Sequence, residues 1–400
     1  MGKLAPEYRD FINPLQFEDF LDGQGAMANR QAVAEAFDYD WHARKLTFVP
    51  HFRGHVLLQA TSYRSTRDHQ WAAAHDPLFA ACGAGVEISV SGLAQANRNR
   101  PLLPLQVLLQ QVLDAVANLP HRRLRALDKT TWRGIVELLQ RTDLFDATTL
   151  KLPPKLRAWS PSKTGQAALK LQLRLGAKEG AFKQLLITPE PGNDSPYLQR
   201  LVGDLEQQAG QIYVFDAGYV NTATYQAIAQ SGNHFVTKAS RALQPQIVEE
   251  RVVPTGERSS GYRVLQDTLV RLADESEQLY RYLRVELTSG HEIALLSSLL
   301  DATADQICLL YRYRWTIEIV FRWLRQHLQL DHFFSHQPVG IMRQILTALI
   351  VWGLLVIANQ DSSKLSPKQL WRQLTADLHQ ALLEFGYRLG LQQAPLPAFE

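Results

Sequence analysis

The sequence is poor in sulfur and has no long apolar run. It contains two cysteines and three methionines in 400 residues. Cys82 and Cys308 are too few for a disulfide framework and lack the paired spacing of a zinc site. The longest apolar run, residues 345–358, includes Thr347 and Gly353 and is well short of the roughly 20 residues that span a bilayer. Since the first residues also resemble no secretory signal, we expect a cytoplasmic protein with no membrane partner.

Net charge is also small, but the positive charge is unevenly distributed. The chain carries 42 lysines and arginines against 39 acids, which gives a formal net charge of +3. Residues 151–183 contain eight cations against one acid, and a second basic group lies within residues 122–133. Such groups are typical either of a solvated surface or of contacts to a polyanion such as nucleic acid. The candidate contacts to such a polyanion are Lys163 and Lys170 in the first group and Lys238 outside both.

Periodicity divides the chain into a helical first third, a mixed central region and a helical end. Apolar residues at three- and four-residue spacing predict helices across residues 31–139. From residue 142 the texture changes to three consecutive strands, followed by strands that alternate with helices in the order β-β-β-α-β-α-β. This order predicts an α/β (α+β) fold, a mixed sheet with helices on its faces.

Two aspartates lie in or directly after apolar strands. Asp146 is at the centre of the first predicted strand, and Asp216 follows a later one. Burying a carboxylate costs several kcal/mol unless a charge compensates it, and a divalent cation is the strongest local compensation. An acid after a strand also suits capping of the next helix, which is the alternative for Asp216. Hard oxygen ligands without cysteine or paired histidine favour Mg²⁺ or Mn²⁺ over zinc.

A helix predicted from residue 304 to about 330 aligns a third acid with several cations. Projected at about 100° per residue, one stripe contains Tyr311, Arg314, Glu318, Arg322 and Arg325. Salt bridges to Glu318 from Arg314 and Arg322 would explain part of this stripe. Three arginines exceed the need of one acid, so the pattern favours a stripe that faces outward to a polyanion such as DNA.

Three motifs, in this order, resemble those of the IS4-type family of DDE transposases. FDATT at residues 145–149 is similar to the family's first aspartate strand, and FDAGY at residues 215–219 to its second strand end. YRYRWTIE at residues 311–318 matches its Tyr-x-x-Arg-x-x-x-Glu helix and is the specific part. The resemblance runs from about residue 142 to residue 334. Arg325 stands where the family has lysine, and Lys170-Leu171-Gln172 where histidine often follows the basic residue.

The resemblance implies a ribonuclease-H-like catalytic core that cuts and rejoins DNA. Its catalytic acids, which are also the ligands of two Mg²⁺ or Mn²⁺ ions, would be Asp146, Asp216 and Glu318. Such ions, about 3.5 to 4 Å apart, activate a water or a 3′-hydroxyl for phosphodiester cleavage. Phosphates at the transposon ends would be held by Tyr311, Arg314 and Arg325. Trp315 would stack on a displaced base or pack in the core.

The same resemblance predicts partners and a division of the chain. The partners would be double-stranded DNA, both terminal inverted repeats and target, and a second copy of the chain in a homodimer, in a bacterial or archaeal nucleoid. Residues 1–140 would be a helical DNA-binding region and residues 141–240 the first part of the core. Residues 241–302 would be an inserted β-rich subdomain. Residues 303–335 would complete the core with the catalytic helix, and the C-terminal helices of residues 336–400 would serve oligomerisation.

Two other functions remain open from the sequence. A transposase-derived DNA-binding protein without cleavage activity would depend on the arginines alone, although all three acids are present. A structure-selective nuclease would use the same metal site without strand transfer. Inverted repeats in the flanking DNA would distinguish a transposase from that nuclease.

Overall fold

The computed structural model describes most of the chain between residues 39 and 358. Described are residue 39 and residues 43–358, apart from residues 62, 82, 118–131, 163–164, 178–181, 190–193, 206–208, 241–242, 254–261, 273–276 and 288. Outside the described residues lie Lys163, most of the basic group at residues 122–133, and residues 359–400 of the predicted C-terminal helical region.

Helices flank a central run of strands. The described helices are α1 (Phe48–Ala60), α2 (Thr66–His75), α3 (Pro77–Ala81), α4 (Val90–Asn99), α5 (Leu103–Ala117), α6 (Trp132–Gln140), α7 (Ser195–Val202), α8 (Thr222–Gln230), α9 (Ala304–Tyr313), α10 (Trp315–His327) and α11 (Pro338–Ala358). The described strands are β1 (Thr142–Leu152), β2 (Ala167–Gly176), β3 (Phe182–Pro189), β4 (Ile212–Phe215), β5 (His234–Lys238), β6 (Gln246–Glu250), β7 (Tyr262–Arg271), β8 (Tyr280–Leu287) and β9 (Glu292–Ser297). None of the described helices has both the length and the hydropathy of a membrane span.

All nine of these strands form one mixed sheet in the order β3-β2-β1-β4-β5-β9-β8-β7-β6. β1 pairs antiparallel with β2 and parallel with β4, and β5 is parallel to β4. The first five strands thus have the order 3-2-1-4-5 with β2 antiparallel to its neighbours, which is the ribonuclease-H-like arrangement. The mixed sheet with flanking helices predicted from the sequence is confirmed.

The strands of residues 241–302 extend this sheet. β9 lies antiparallel beside β5, with Val236 opposite Ser297. β8, β7 and β6 then follow as antiparallel neighbours, and the edge strand β6 is exposed along its whole length. Pairing of β5 with β9 therefore joins the predicted β-rich insertion directly to the core sheet.

Helices cover both faces of the core sheet. Because side chains alternate along a strand, Leu144 and Val214 point to one face, while Phe145 and Phe215 point to the other. The first face packs against α9, α10 and α11 in one apolar core. The second face packs against α7 and α8 in another. A residue's position in its strand therefore decides which helices surround it.

A buried polar network joins the N-terminal helices to α11. Arg343 Nη1 donates to the Tyr39 hydroxyl (2.7 Å), and that hydroxyl lies 2.6 Å from His51 Nδ1. Asn97 Oδ1 lies 2.7 Å from the Nε2 atoms of both His51 and His55. Burial lowers the pKa of both histidines well below its ordinary value. The network therefore joins α1, α4 and α11 through neutral imidazoles.

The long helix predicted after residue 304 is interrupted at Arg314, so its projection as a single helix is wrong at this point. α9 ends at Tyr313 and α10 begins at Trp315. The Arg314 N–H donates to Tyr311 O (3.2 Å) and the Ile317 N–H to Arg314 O (3.1 Å), both three residues apart. This tighter turn separates the helix segment that carries Tyr311 from the one that carries the glutamate.

Candidate active site

The pairing of β1 with β4 brings two of the predicted acids together. Leu144 lies opposite Val214 in this parallel pair, so the same register continued by two residues places Asp146 beside Asp216. Alternation directs both side chains to the face that α10 covers. Strand register thus explains why two acids 70 residues apart in sequence become neighbours.

Asp146 is a largely buried carboxylate with a raised pKa. Its side chain is 14% exposed, Oδ1 accepts the Ala147 N–H (2.9 Å), and Oδ2 accepts from Arg314 Nη1 (3.1 Å). Burial raises the pKa of Asp146 to about 7; the Arg314 guanidinium opposes this rise, and the negative charges of Asp216 and Glu318 add to it. The position therefore favours additional positive charge.

Asp216 stands at the end of β4 and caps a short 3₁₀ turn. Its Oδ1 accepts the Gly218 N–H (2.8 Å), so the capping alternative is correct for this oxygen. A Cβ on Gly218 would lie 2.9 Å from the same oxygen. Glycine is therefore needed for the close approach of the residue 218 backbone to this oxygen.

Glu318, in the first turn of α10, is linked to Asp146 through Arg314 and lines the same cavity as both aspartates. Arg314 Nη2 donates to Glu318 Oε1 (2.7 Å) while Nη1 of the same guanidinium contacts Asp146. The Arg314 Cζ atom also lies 5.6 Å from the centre of the Tyr311 ring. At 11% exposure, Arg314 faces inward, and the prediction of an outward-facing stripe is wrong for this residue. The two acids it bridges draw its guanidinium into the protein.

The acids and arginines line one cavity of about 520 Å³. Its predicted members are Asp146, Asp216, Glu318, Arg314, Arg322 and Arg325. Arg322 is exposed and Arg325 is half-buried. Its further lining residues are Ala147, Thr148, Phe321, Gln326 and Asp331. Six residues from three separate segments, chosen from sequence motifs, therefore meet at one place.

Asp331 was missed by the sequence interpretation. It lies in the loop after α10, where Gln329 takes a left-handed backbone conformation (φ 54°). The Gln329 side chain donates to the backbone oxygen of Thr61 (2.8 Å), and Gln344 Nε2 donates to the backbone oxygens of Gln329 and His332. These long-range contacts hold the loop at the cavity, and no local spacing in the sequence signals them.

The remaining predicted DNA contacts lie outside the cavity lining. Trp315 is 52% exposed, so the alternative of core packing is wrong for it. Lys170 forms an ion pair with Asp194 (2.6 Å), and both side chains are 17% exposed. Lys238 is exposed at the end of β5, beside the strand end that precedes Asp216. Tyr311 is half-buried next to Arg314.

The donor set suits a hard divalent cation. Three carboxylates converge on one cavity, and the most buried of them, Asp146, has a raised pKa because burial penalises its charge. Among the described residues, no three histidine, cysteine or acidic side chains already form a closed ligand set. The three carboxylates have the chemistry that a divalent metal requires. To bind one, their side chains would have to draw closer together.

Comparison of the sequence with models of protein families identifies the family of the chain. The model of the transposase DDE domain matches residues 140–354, more than half of the chain, including all three acids. The chain belongs to the DDE transposase family. The transposase function predicted from the motifs is therefore confirmed, and membership of the family generally implies use of a divalent metal.

Two curated proteins resemble this transposase. The protein named as the transposase y4zB of Sinorhizobium fredii is 28% identical over 270 residues, covering 66% of this chain and 70% of that protein. The protein named as the transposase for insertion sequence element IS5377 of Geobacillus stearothermophilus is 22% identical over 215 residues, covering 53% of this chain and 55% of its own length. A solved structure of the piggyBac transposase in a synaptic complex with hairpin DNA has a TM-score of 0.47 at 12% identity, covering 87% of this chain and 73% of that one.

Proposed function

We propose that this transposase is an IS4-type, cut-and-paste enzyme that cleaves DNA at terminal inverted repeats and joins the 3′-hydroxyl ends to target DNA. Asp146, Asp216 and Glu318 would be its catalytic acids. The observation that supports this most is that they come from β1, β4 and α10 and line one cavity with three arginines. When bound there, two Mg²⁺ or Mn²⁺ ions would supply Lewis-acid activation of the attacking oxygen and stabilise the leaving oxygen.

The chain's contribution to this chemistry is placement. The Ala147 N–H holds one oxygen of Asp146, and the Gly218 N–H holds one oxygen of Asp216. The second oxygen of each aspartate is directed by these bonds, and both side chains are fixed to strands of the core sheet. Carboxylates anchored at one oxygen need less reorganisation to take up a cation than freely rotating side chains do.

DNA would enter along the arginine side of the cavity. Arg322 and Arg325 line it on successive turns of α10, and their guanidinium groups suit bidentate contacts to phosphate. The exposed Trp315 and Lys238 are proposed contacts further along the DNA strand. Lys170 is also a proposed contact, and it would have to leave its ion pair with Asp194 to reach DNA. Every phosphate contact adds to the salt dependence of binding, so affinity should fall steeply with ionic strength.

The partners would be double-stranded DNA, as terminal repeats and as target, and a second copy of the chain. Pairing of two element ends requires two active sites, which supports a homodimer in the DNA complex. Residues 1–140 are proposed to bind DNA, and residues 336–400 to contribute to oligomerisation. The buried network between α1, α4 and α11 connects these two regions in the described part of the chain.

Cleavage of DNA carrying the element's own terminal repeat tests this proposal. With Mg²⁺ or Mn²⁺ present, we expect strand cleavage at the repeat boundary and joining of the 3′-hydroxyl to a target duplex. Asp146→Asn, Asp216→Asn and Glu318→Gln should each reduce cleavage by at least roughly 10²- to 10³-fold while repeat binding is retained. Glu292→Gln, which removes an exposed acid on β9, is the control. Repeat binding without metal-dependent cleavage in the unaltered protein would favour a DNA-binding protein instead.

A further inference from the structure

Arg314 occupies the position between two of the proposed metal ligands. Its Nη1 lies 3.1 Å from Asp146 Oδ2 and its Nη2 lies 2.7 Å from Glu318 Oε1. The guanidinium is always charged, so it neutralises part of the negative charge of the site. One side chain of the protein therefore satisfies the same carboxylates that would bind divalent cations.

The guanidinium and a divalent cation would compete for the same oxygen atoms. Asp146 has one oxygen held by the Ala147 N–H and the other by Arg314. A cation bound by Asp146 and Glu318 would lie against a positive guanidinium, since both carboxylates already contact it. Like charges at such short distance repel strongly in a partly buried site. Cation binding through these oxygens therefore requires Arg314 to move.

Arg314 also has an unused hydrogen-bond donor. Its Nε is buried without a hydrogen-bond partner among the described residues. The bridge between the acids therefore does not satisfy the whole guanidinium, and a buried donor left unpaired is unfavourable. A phosphate can accept two parallel hydrogen bonds from a guanidinium edge, including the edge that carries Nε. The cavity that Arg314 lines with Arg322 and Arg325 offers space for such a group.

We propose that Arg314 exchanges its carboxylate partners for a DNA phosphate and thereby couples divalent-cation binding to DNA binding. This inference rests on the proposed function, because it takes Asp146 and Glu318 as metal ligands. While Arg314 is hydrogen-bonded to Asp146 and Glu318, the affinity of the site for cations is low. When the guanidinium binds a DNA phosphate instead, the two carboxylates are free to bind cations. By linkage, cations must raise the affinity for DNA by the same factor that DNA raises the affinity for cations.

The coupling is measured by Mn²⁺ titration with and without a terminal-repeat duplex whose 3′ ends are dideoxy-terminated, so that no joining occurs. Free Mn²⁺ is followed by electron paramagnetic resonance. In the unaltered protein, DNA should raise the Mn²⁺ affinity by roughly 5- to 150-fold, the usual range of allosteric coupling. In Arg314→Gln, the affinity without DNA should already be raised at least fivefold, and DNA should add little.

Two matched variants separate exchange from general electrostatics. Arg322→Gln removes the same charge from the same cavity without touching either acid bridge, so it should weaken DNA binding and leave DNA-free Mn²⁺ affinity nearly unchanged. Arg314→Lys keeps the charge but cannot bridge both acids as a planar fork, so its coupling should fall between those of the unaltered protein and Arg314→Gln. It also provides the test if Arg314→Gln does not fold.

The proposal is overturned if DNA leaves the Mn²⁺ affinity of the unaltered protein unchanged. It is also overturned if Arg314→Gln and Arg322→Gln raise the DNA-free affinity equally. A failure of the proposed function has a different signature, because Mn²⁺ binding would then be insensitive to Asp146→Asn and Glu318→Gln. Binding that depends on these acids but shows no coupling through Arg314 would contradict the exchange alone.

Discussion

Asp143 and Asp146 lie three residues apart on β1 and have opposite surroundings. Asp143 is fully buried, with Arg174 Nε and Nη2 both 2.7 Å from Oδ2 and Lys183 Nζ 2.6 Å from Oδ1. In the described part of the chain, Asp146 has one cation as its ion-pair partner, Arg314, and shares it with Glu318. The first acid therefore has two cations to itself, while the second shares one cation with another acid and has Asp216 nearby.

This difference in charge balance distinguishes a structural acid from a proposed catalytic one. The Arg174 guanidinium is further enclosed, with Cζ 5.4 Å from the Tyr213 ring and Nη1 donating to Val202 O (2.8 Å). The Asp146 side opens to a cavity that divalent cations and DNA could enter. At Asp143, two cations balance the carboxylate and hold β1 to its neighbours. At Asp146, on the other face of the sheet, positive charge is in deficit, which favours the binding of added cations.

Removing the charge of Asp143 should have the largest effect on stability. Asp143→Asn leaves the buried Arg174 without its carboxylate, and breaking a buried pair from one side costs about 3 to 5 kcal/mol. We expect a loss of about 3 kcal/mol in the free energy of unfolding, measured by urea denaturation at neutral pH. A loss below about 1 kcal/mol would remove the distinction between the two acids.

Asp146→Asn should increase the free energy of unfolding, by an amount that depends on pH. The pKa of Asp146 is raised in the folded protein, so between pH 4 and 7 the unfolded chain ionises first and stability falls as the pH rises. Asparagine cannot ionise and avoids this loss. Since each tenfold change in proton affinity is worth about 1.4 kcal/mol, the stability advantage of the variant should grow by about 2.5 kcal/mol from pH 5 to pH 8.

Urea denaturation in the presence of a chelator, at both pH values, measures this effect. The free energy of unfolding of Asp146→Asn should exceed that of the parent protein by more at pH 8 than at pH 5, because at pH 8 the parental carboxylate is ionised in the folded state as well. Equal differences at the two pH values would show that the charge of Asp146 is not penalised by burial.

Lys183→Met tests the more exposed partner of Asp143. The Lys183 side chain is 37% exposed, so solvent screens its attraction to the carboxylate, and Arg174 remains in place. Methionine keeps the aliphatic stem. We expect a loss of about 1 kcal/mol in the free energy of unfolding, the upper end for screened pairs. A loss equal to that of Asp143→Asn would indicate that Lys183, and not Arg174, compensates the buried acid.

Glu292→Gln should have the smallest effect. Its ion pair with Arg284 is short (2.6 Å), but both side chains are about half exposed. Solvent screening and the entropy of two mobile side chains offset the attraction. Thermal unfolding of this variant should be indistinguishable from that of the parent protein. A measurable drop in the unfolding temperature would mean that the distance between the charged atoms, and not their burial, decides how much an ion pair of this chain contributes to stability.

Much of the fold was predictable because strand alternation and helical spacing are local signals. Apolar runs at residues 144–152, 168–175, 182–188 and 234–238 predict strands, and β1, β2, β3 and β5 lie within two residues of these bounds. The break at Arg314 was not predictable, because the acids that draw this guanidinium inward come from β1 as well as α10. In the sequence, Asp143 and Asp146 are both acids in or beside an apolar strand. Their surroundings differ because their side chains point to opposite faces of the sheet. Lys170 looked like a free cation because its partner Asp194 is 24 residues away.

Anomalous diffraction from crystals of the transposase bound to terminal-repeat DNA and soaked in Mn²⁺ tests the metal site and the exchange together. We expect anomalous density between Asp146, Asp216 and Glu318, with the Arg314 guanidinium moved from the two acids to a DNA phosphate, and no density at Asp143. Density away from these three carboxylates would contradict the proposed metal site. Density among them with Arg314 still bridging Asp146 and Glu318 would contradict the proposed exchange.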